Sequence, residues 1–268
     1  MARKTERHGL IAQDLLATAS GVLVGLVLGL VGGGGSVLAV PLLVYVVGIT
    51  SPHVAIGTSA IAVAVSALAN LIGHARIGNV KWPCALVFAV AGTAGAALGS
   101  TLGKQFDGEK LLLLFGALMI VIAAFMFWNR DTEGDVSVRL TLHSAPKMMP
   151  LLLLYGTAVG ALSGFFGIGG GFLIVPAIMA ATGMPLIYAI GSSLVSVFAF
   201  GLTTAGNYAL SGFIDWVLVG FFVAGGIAGG FAGRLAAHRL AAHKQALATV
   251  FAALVAAVGG YVGWRGIA

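Results

Sequence analysis

The sequence predicts an all-α protein that crosses a lipid bilayer many times. Of its 268 residues 59% are apolar, 41 more are glycine, and only 8% are charged, whereas about a quarter of the residues in a soluble domain are charged. This charge content excludes a water-soluble globular protein. Ten apolar runs of about 20 residues would place about 200 positions in the membrane, which leaves no room for a soluble catalytic domain.

The cysteine content and the net charge narrow the class further. A single cysteine, Cys84, excludes an internal disulfide, and no His/Cys cluster has metal-ligand spacing, so neither a metal nor a cofactor is expected. In a membrane protein the net charge of +6 indicates cytoplasmic anchoring of loops rather than nucleic-acid binding. The charged start before Leu10 has no cleavage site after the apolar run, which predicts a retained first helix.

The apolar runs form two similar sets around one hydrophilic stretch. The first set lies at 10–31, 37–49, 54–77, 82–102 and 111–128. The second set lies at 149–166, 172–182, 186–210, 216–231 and 247–264. We therefore expect a first membrane repeat at 10–130, a hydrophilic linker loop at 131–147 and a second membrane repeat at 148–265.

A direct comparison of the two halves supports an internal duplication. GLVLGLVGGGGSVLAVP, which ends at Pro41, aligns with GALSGFFGIGGGFLIVP, which ends at Pro176, and both carry glycines at shared positions. With a one-residue slip, AIGTS from Ala55 aligns with AIGSS from Ala189. Each repeat is thus expected to hold about four spanning helices plus a short broken or re-entrant helix.

The short segments, 37–49 and 172–182, allow two topologies. As α-helices both are too short for a hydrocarbon core of about 30 Å. If they re-enter, eight helices span and the N-terminus lies inside. If all ten segments span, the charge rule places the N-terminus outside. The eight-helix model puts slightly more lysine and arginine on the cytoplasmic side and is the expected one.

Two glycine clusters, Gly32–Gly35 and Gly167 with Gly169–Gly171, lie where a long helix ends and a short one begins. Glycine permits a sharp turn and brings backbone N–H groups close to a ligand, and the start of the next helix adds a positive dipole end. Paired interruptions in the two halves are typical of a transporter's binding site. The stripes Gly21, Gly25, Gly29 and Gly156, Gly160, Gly164 instead indicate close helix packing.

Hydroxyl and amide side chains recur after the glycine clusters. GTS at Gly57–Ser59 and GSS at Gly191–Ser193 lie in the first turns of equivalent helices. Hydroxyls in a membrane can bond the carbonyl one turn earlier, but their recurrence suggests that they face one central cavity. Asn70 and Asn207, further along these helices, could lie on the same polar face.

Acidic residues fall only in loops, in tails or at segment ends. No carboxylate is therefore placed for a cation site or a proton relay at mid-membrane depth, and an anion is the favoured ligand. His74 and Arg76 could meet an anion at the mouth or anchor the helix at the interface. A passive anion channel and a membrane-embedded enzyme are the competing classes, but no nucleophile or nucleotide motif is present, and we expect no enzymatic activity.

These residues resemble the TauE/SafE family, also called the sulfite exporter family, over about Leu16 to Trp264. The resemblance rests on the duplicated glycine signature ending at Pro41 and Pro176 and on AIGTS and AIGSS. It implies a transporter of sulfur-containing or organic anions, with the signature positions around the anion. The predicted substrate-binding residues are Gly32, Gly33, Gly34, Gly35, Ser36, Thr58, Ser59, Asn70, Gly167, Gly169, Gly170, Gly171, Ser192, Ser193 and Asn207.

The sequence therefore predicts a multi-pass secondary transporter of the bacterial inner membrane. It would export small sulfur-containing anions such as sulfite or the organosulfonate sulfoacetate, by alternating access between two repeats. The membrane potential or coupled protons would supply the driving force. The alternative is a transporter or channel for another small organic or inorganic anion. The expected partners are the anion and the bilayer, with the oligomeric state left open.

Overall fold

A computed structural model describes residues 2–128, 145–167, 171–239 and 244–267. Within these ranges the chain is helical and contains no strand. A 3-10 helix, Gly32–Leu38, precedes the second α-helix. The α-helices are α1 (Ala2–Val31), α2 (Ala39–Tyr45), α3 (Pro52–Arg76), α4 (Trp82–Gly103), α5 (Gly108–Trp128), α6 (Ala145–Phe166), α7 (Gly171–Thr182), α8 (Leu186–Ala209), α9 (Trp216–Arg239) and α10 (Lys244–Ile267).

Each predicted apolar run is found as a helix, and the all-α polytopic class is confirmed. Six helices in the described part are long and apolar enough to span a membrane: α1, α3, α4, α6, α8 and α9. The run at 37–49 divides into the end of the 3-10 helix and α2. Residues 129–144, which include most of the linker loop predicted at 131–147, and Gly169 and Gly170 of the second glycine cluster lie outside the described residues. The last three residues of that predicted loop instead form the start of α6.

Proline and glycine set the ends of the two central helices. Pro52 opens α3, where its missing N–H removes no helical hydrogen bond. Gly78 follows α3 with φ +74°, and Gly212 follows α8 with φ +73°. A left-handed residue just past a helix is a common termination, and glycine adopts it without strain. The two turns occupy equivalent positions of the two halves.

Close glycine contacts show that α1, α3 and α9 run in the same direction. A β-carbon added at Gly25 would lie 2.8 Å from Cα of Gly226, and one added at Gly29 would lie 2.8 Å from the nitrogen of Arg234. On the other side of α9, Gly226 lies against Ser66 and Gly230 against Asn70. Residue numbers therefore rise together along all three helices.

A second group, α4, α6 and α8, runs the opposite way. Gly92 of α4 faces Gly156 of α6, and Gly103 faces Phe165, so these two helices are parallel. The contact of Gly92 with Phe200 adds α8 to the group. Since α8 Gly201 packs on Ala60 and Ala64 whereas Gly57 packs on Tyr208, α8 is antiparallel to α3.

These directions require the short segments to carry the chain back across the bundle. The Gln13 side-chain amide donates to the carbonyl of Val47 at 3.4 Å, which places the residues just after α2 beside the first half of α1. Seven 3-10 residues rise about 14 Å and seven α-helical residues about 10 Å, so the broken helix covers most of the hydrocarbon thickness. Of the two predicted forms, broken or re-entrant, the first short segment is a broken helix: it begins at Gly32, five residues before the predicted run, and 3-10 winding adds about 0.5 Å per residue to its rise. The ten-pass alternative fits the helix directions.

The bundle has two faces, which are named here by the helices that begin there. The first face is where α3, α5 and α9 begin, since Pro52 at the start of α3 packs on Gly108 at the start of α5. The second face is where α4 and α8 begin. Helices of the two halves pair reciprocally: α1 packs on α9 as α6 packs on α4, while α3 packs on α8 and α5 on α10.

The glycine stripes pack helix backbones together, as predicted. A β-carbon at Gly21 would lie 3.0 Å from the carbonyl carbon of Phe222, and one at Gly160 would lie 2.6 Å from Cα of Gly92. Gly164 likewise faces the backbone of Ala96. Such contacts let two helix axes approach closely, which replaces the hydrophobic driving force that is missing between helices in lipid.

Candidate functional site

The two glycine clusters meet in the buried interior. The backbone N–H of Gly171 at the start of α7 donates to the Ser36 hydroxyl at 3.3 Å, across a separation of 135 residues. Ser36 is fully buried. That separation equals the offset between the glycine signatures, so equivalent positions of the two halves touch each other. This contact and the buried glycines beside it, Gly34 and Gly35, are called the junction below.

The glycines around the junction have different surroundings. A β-carbon at Gly35 would lie 2.5 Å from the nitrogen of Leu28 and 2.6 Å from the carbonyl oxygen of Val24, so Gly35 lets the 3-10 helix fold back along α1. Gly167 ends α6 with φ +68° and packs beneath Ile56. Gly32 and Gly33 form the first turn of the 3-10 helix.

The junction presents hydrogen-bond donors rather than charged side chains. The first N–H groups of a helix have no partner within that helix, and α7 begins at Gly171 with these groups and its positive dipole end directed at the junction. The Ser36 hydroxyl accepts from Gly171, and a hydroxyl can also donate one hydrogen bond. Together these groups form an environment suited to a small anion.

The Thr58 and Ser192 hydroxyls hold the two halves together. Thr58 Oγ1 accepts from the N–H of Asp215 at 3.0 Å, and Ser192 Oγ accepts from the N–H of Lys81 at 3.0 Å. The glycines before them, Gly57 and Gly191, allow the backbone carbonyls of Phe213 and Asn79 to approach. Each motif therefore clamps the loop that leads into a helix of the other half.

The adjacent serines bond within their own helices. Ser59 donates to the carbonyl of Ile56 at 3.0 Å, and Ser193 donates to that of Ile190 at 2.8 Å. GTS lies near the first face and GSS near the second, about 22 Å apart along the antiparallel α3 and α8 by the rise of 1.5 Å per residue. The structure thus differs from the expectation that these hydroxyls share one cavity.

The two asparagines also lie apart. Asn70 donates to the carbonyl of Ser66 at 3.0 Å and is buried beside Gly230 of α9. Asn207, toward the first face, donates to Ser100 Oγ at 2.7 Å and to Thr101 Oγ1 at 2.9 Å. Their amides join α3 to α9 and α8 to α4 instead of lining a single polar face.

Sequence reasoning missed several buried polar atoms around α8. Among the described residues, buried hydroxyls without a hydrogen-bond partner belong to Ser163, Thr204 and Tyr208, which the sequence analysis did not single out, and to Ser196; Nε2 of His53 is also buried without a partner. With the one-residue slip, Thr204 aligns with Asn70 and Tyr208 with His74. Polar residues at matched positions of both halves were the signal that could have identified these two.

Acidic groups near the first face cap helices. Asp107 Oδ1 accepts from the N–H groups of Glu109 and Lys110 at 3.0 and 3.2 Å. Asp215 Oδ1 accepts from Val217 at 3.0 Å and from the next N–H at 3.1 Å. Among the described residues no group of three His, Cys, Asp or Glu side chains could hold a metal ion.

Comparison with known proteins identifies the family. The model of the family described as sulfite exporter TauE/SafE matches residues 17–262. A probable membrane transporter protein of Xylella fastidiosa strain 9a5c is 52% identical over 255 residues, which cover 94% of this chain and 96% of the relative.

More distant relatives agree with this assignment. Probable membrane transporter protein MJ0441 of Methanocaldococcus jannaschii is 31% identical over 77% of this chain and 75% of its own. Probable membrane transporter protein YunE of Bacillus subtilis is 28% identical over 74% of this chain and 78% of its own. No solved structure matches. The chain therefore belongs to the TauE/SafE sulfite exporter family of membrane transporter proteins.

Proposed function

We propose that the protein is a secondary transporter that exports small sulfur-containing anions such as sulfite or sulfoacetate. The observation that carries the proposal is the junction, where Ser36 and the N–H of Gly171 meet inside the bundle. Backbone N–H groups and a hydroxyl can bind an oxyanion without a buried countercharge. The family match supports the class of substrate.

The charge distribution favours an anion over a cation. Asp107 and Asp215 accept hydrogen bonds at the starts of α5 and α9, where they complement the helix dipoles. A cation carrier would need carboxylate or carbonyl ligands within the membrane. Donors at the junction suit the three oxygens of sulfite and the sulfonate group of sulfoacetate equally well.

An internal duplication with inverted halves would supply the moving parts. Reciprocal packing of α1 on α9 and of α6 on α4 supports this arrangement, as does the contact between equivalent residues at the junction. Inverted repeats around a central site are typical of secondary transporters, in which one unit moves against the other and opens the site alternately to each face.

The membrane potential can drive the proposed export. A potential that is negative inside favours the exit of an anion by about 2.3 kcal/mol per charge per 100 mV. In a bacterial inner membrane this term alone would concentrate a monovalent anion outside, and a proton gradient could add to it. ATP is not needed.

Flux in liposomes tests the function. Purified protein is reconstituted, and uptake of radiolabelled sulfite and sulfoacetate is measured with an imposed potential, with empty liposomes as the control. We expect saturable, potential-sensitive flux and exchange between labelled and unlabelled anion, which distinguishes a carrier from a channel. No flux of any sulfur-containing anion above that of empty liposomes would contradict the proposed substrate class.

A further inference from the structure

Three rings form a cluster at the first face, apart from the junction. His53 lies in the first turn of α3, Tyr208 in the last turn of α8, and Phe213 in the loop before α9. The His53 and Tyr208 rings are stacked with centroids 6.3 Å apart, and the Phe213 ring is 5.5 Å from His53 and 6.2 Å from Tyr208. Contact of Tyr208 with Gly57 fixes the cluster against α3.

Two polar atoms of this cluster are buried and have no hydrogen-bond partner. Tyr208 is 0% exposed, and within the described part of the chain neither its hydroxyl nor the buried Nε2 of His53 has a hydrogen-bond partner. Leaving a buried polar group unpaired is unfavourable, so these atoms need an explanation. Packing alone would be served equally well by phenylalanine at both positions.

The surroundings of these atoms favour an anion. Pro52 and His53 open α3, so the positive dipole end of that helix lies at the cluster. Lys104 adds a positive charge nearby, because its Nζ donates to the carbonyl of Asn207 at 3.0 Å and to Ser211 Oγ at 2.9 Å.

Two of the carboxylates at this face, those of Asp107 and Asp215, are engaged by backbone N–H groups, and a third, Glu109, is exposed at the start of α5. Asp107 and Asp215 accept backbone hydrogen bonds from the helices that they cap. The negative charges of Asp107 and Asp215 thus interact with the starts of α5 and α9.

The cluster is not reproduced at the second face. With the one-residue slip, Ile187 stands where the first half has His53, and His74 stands where the second half has Tyr208. The helix packing that the two halves share therefore does not depend on the stacked rings of His53 and Tyr208. A role specific to the first face accounts for a polar pair that only one half carries.

We propose that His53 and Tyr208 form a second anion-binding subsite, which holds the transported oxyanion at the first face before or after it occupies the junction. The Tyr208 hydroxyl and the imidazole N–H of His53 donate to the anion, and the start of α3 and Lys104 provide the favourable field. This inference rests on the proposed function, since the ligand is the same small oxyanion.

Binding stoichiometry tests the subsite. Equilibrium dialysis with radiolabelled sulfite measures the anions bound per chain at saturation in detergent. We expect two for the wild type and one for Tyr208→Phe, which removes only the hydroxyl and keeps the ring stack. His53→Phe, a second variant that keeps an aromatic ring, should also bind one. Tyr155→Phe, a half-buried tyrosine of α6, is the matched control and should bind two.

The same measurement separates failure of the subsite from failure of the proposed function. One anion per wild-type chain, lost in Ser36→Ala and retained in Tyr208→Phe, would overturn the subsite and leave the junction intact. One anion lost in Tyr208→Phe and retained in Ser36→Ala would support the subsite and contradict binding at the junction. No bound sulfite in the wild type would overturn both.

Discussion

Gly25→Leu is expected to prevent native packing of α1 on α9. A β-carbon at this position would lie 2.7 Å from the carbonyl carbon of Gly226 and 2.8 Å from its Cα. Overpacking a core typically costs about 1–3 kcal/mol, and backbone atoms cannot move aside as a side chain can, so we expect at least about 3 kcal/mol. Loss of the monodisperse peak in size-exclusion chromatography and a lower thermal midpoint would show it.

A matched glycine on the same helix pair provides the control. Gly220 of α9 has open space where a β-carbon would point, so Gly220→Leu should change stability by no more than about 0.5 kcal/mol. Gly160→Leu, at the corresponding contact of α6 with α4, should fail as Gly25→Leu does. Wild-type stability of Gly25→Leu would refute the packing role of the stripe.

Ser36→Ala is expected to reduce the rate of sulfite transport about tenfold or more while the chain still folds. The change removes a hydroxyl that contacts the N–H of Gly171, and a hydrogen bond to a charged group contributes about 1.5–3 kcal/mol. Initial rates in liposomes, normalised to reconstituted protein, measure the effect.

The control for this variant is another buried serine. Ser20 lies in α1 and is 4% exposed, and Ser20→Ala should transport at the wild-type rate. Equal rates for Ser36→Ala and the wild type, with both proteins monodisperse, would show that the junction serves packing alone.

Helix positions were predictable because hydrophobic length is read directly from the sequence. The run 82–102 corresponds to α4, Trp82–Gly103, and the run 186–210 to α8, Leu186–Ala209. A backbone in lipid must satisfy its hydrogen bonds within the protein, and an uninterrupted apolar run of about 20 residues does so as a helix. The positions of these helices could therefore be predicted without tertiary information.

Helix direction was harder to predict. The segment 37–49 was expected to be too short to cross, because a rise of 1.5 Å per residue was assumed. The glycine-rich start instead winds as a 3-10 helix from Gly32 to Leu38, which rises about 2.0 Å per residue. Winding of this kind depends on packing against α1, and no local pattern reports it.

The candidate site was predictable only in part. The paired glycine clusters led to the prediction that Ser36 and Gly171 surround one anion; the structure brings the two residues into contact, and their role in binding stays a prediction. The recurrence of a hydroxyl in both halves could not distinguish a residue that binds the anion from one that holds a loop. Thr58 and Ser192 recur because each bonds the loop that leads into a helix of the other half. Both roles demand a buried hydroxyl, and only the tertiary contacts separate them.

Locating the bound anion tests the central claim most directly. Selenite has the shape and charge of sulfite and scatters X-rays anomalously, so a crystal grown with selenite reports the anion's position independently of side-chain density. We predict an anomalous peak within hydrogen-bond distance of Ser36 Oγ and the nitrogen of Gly171. A peak only at another place, in protein that transports sulfite, would contradict binding at the junction.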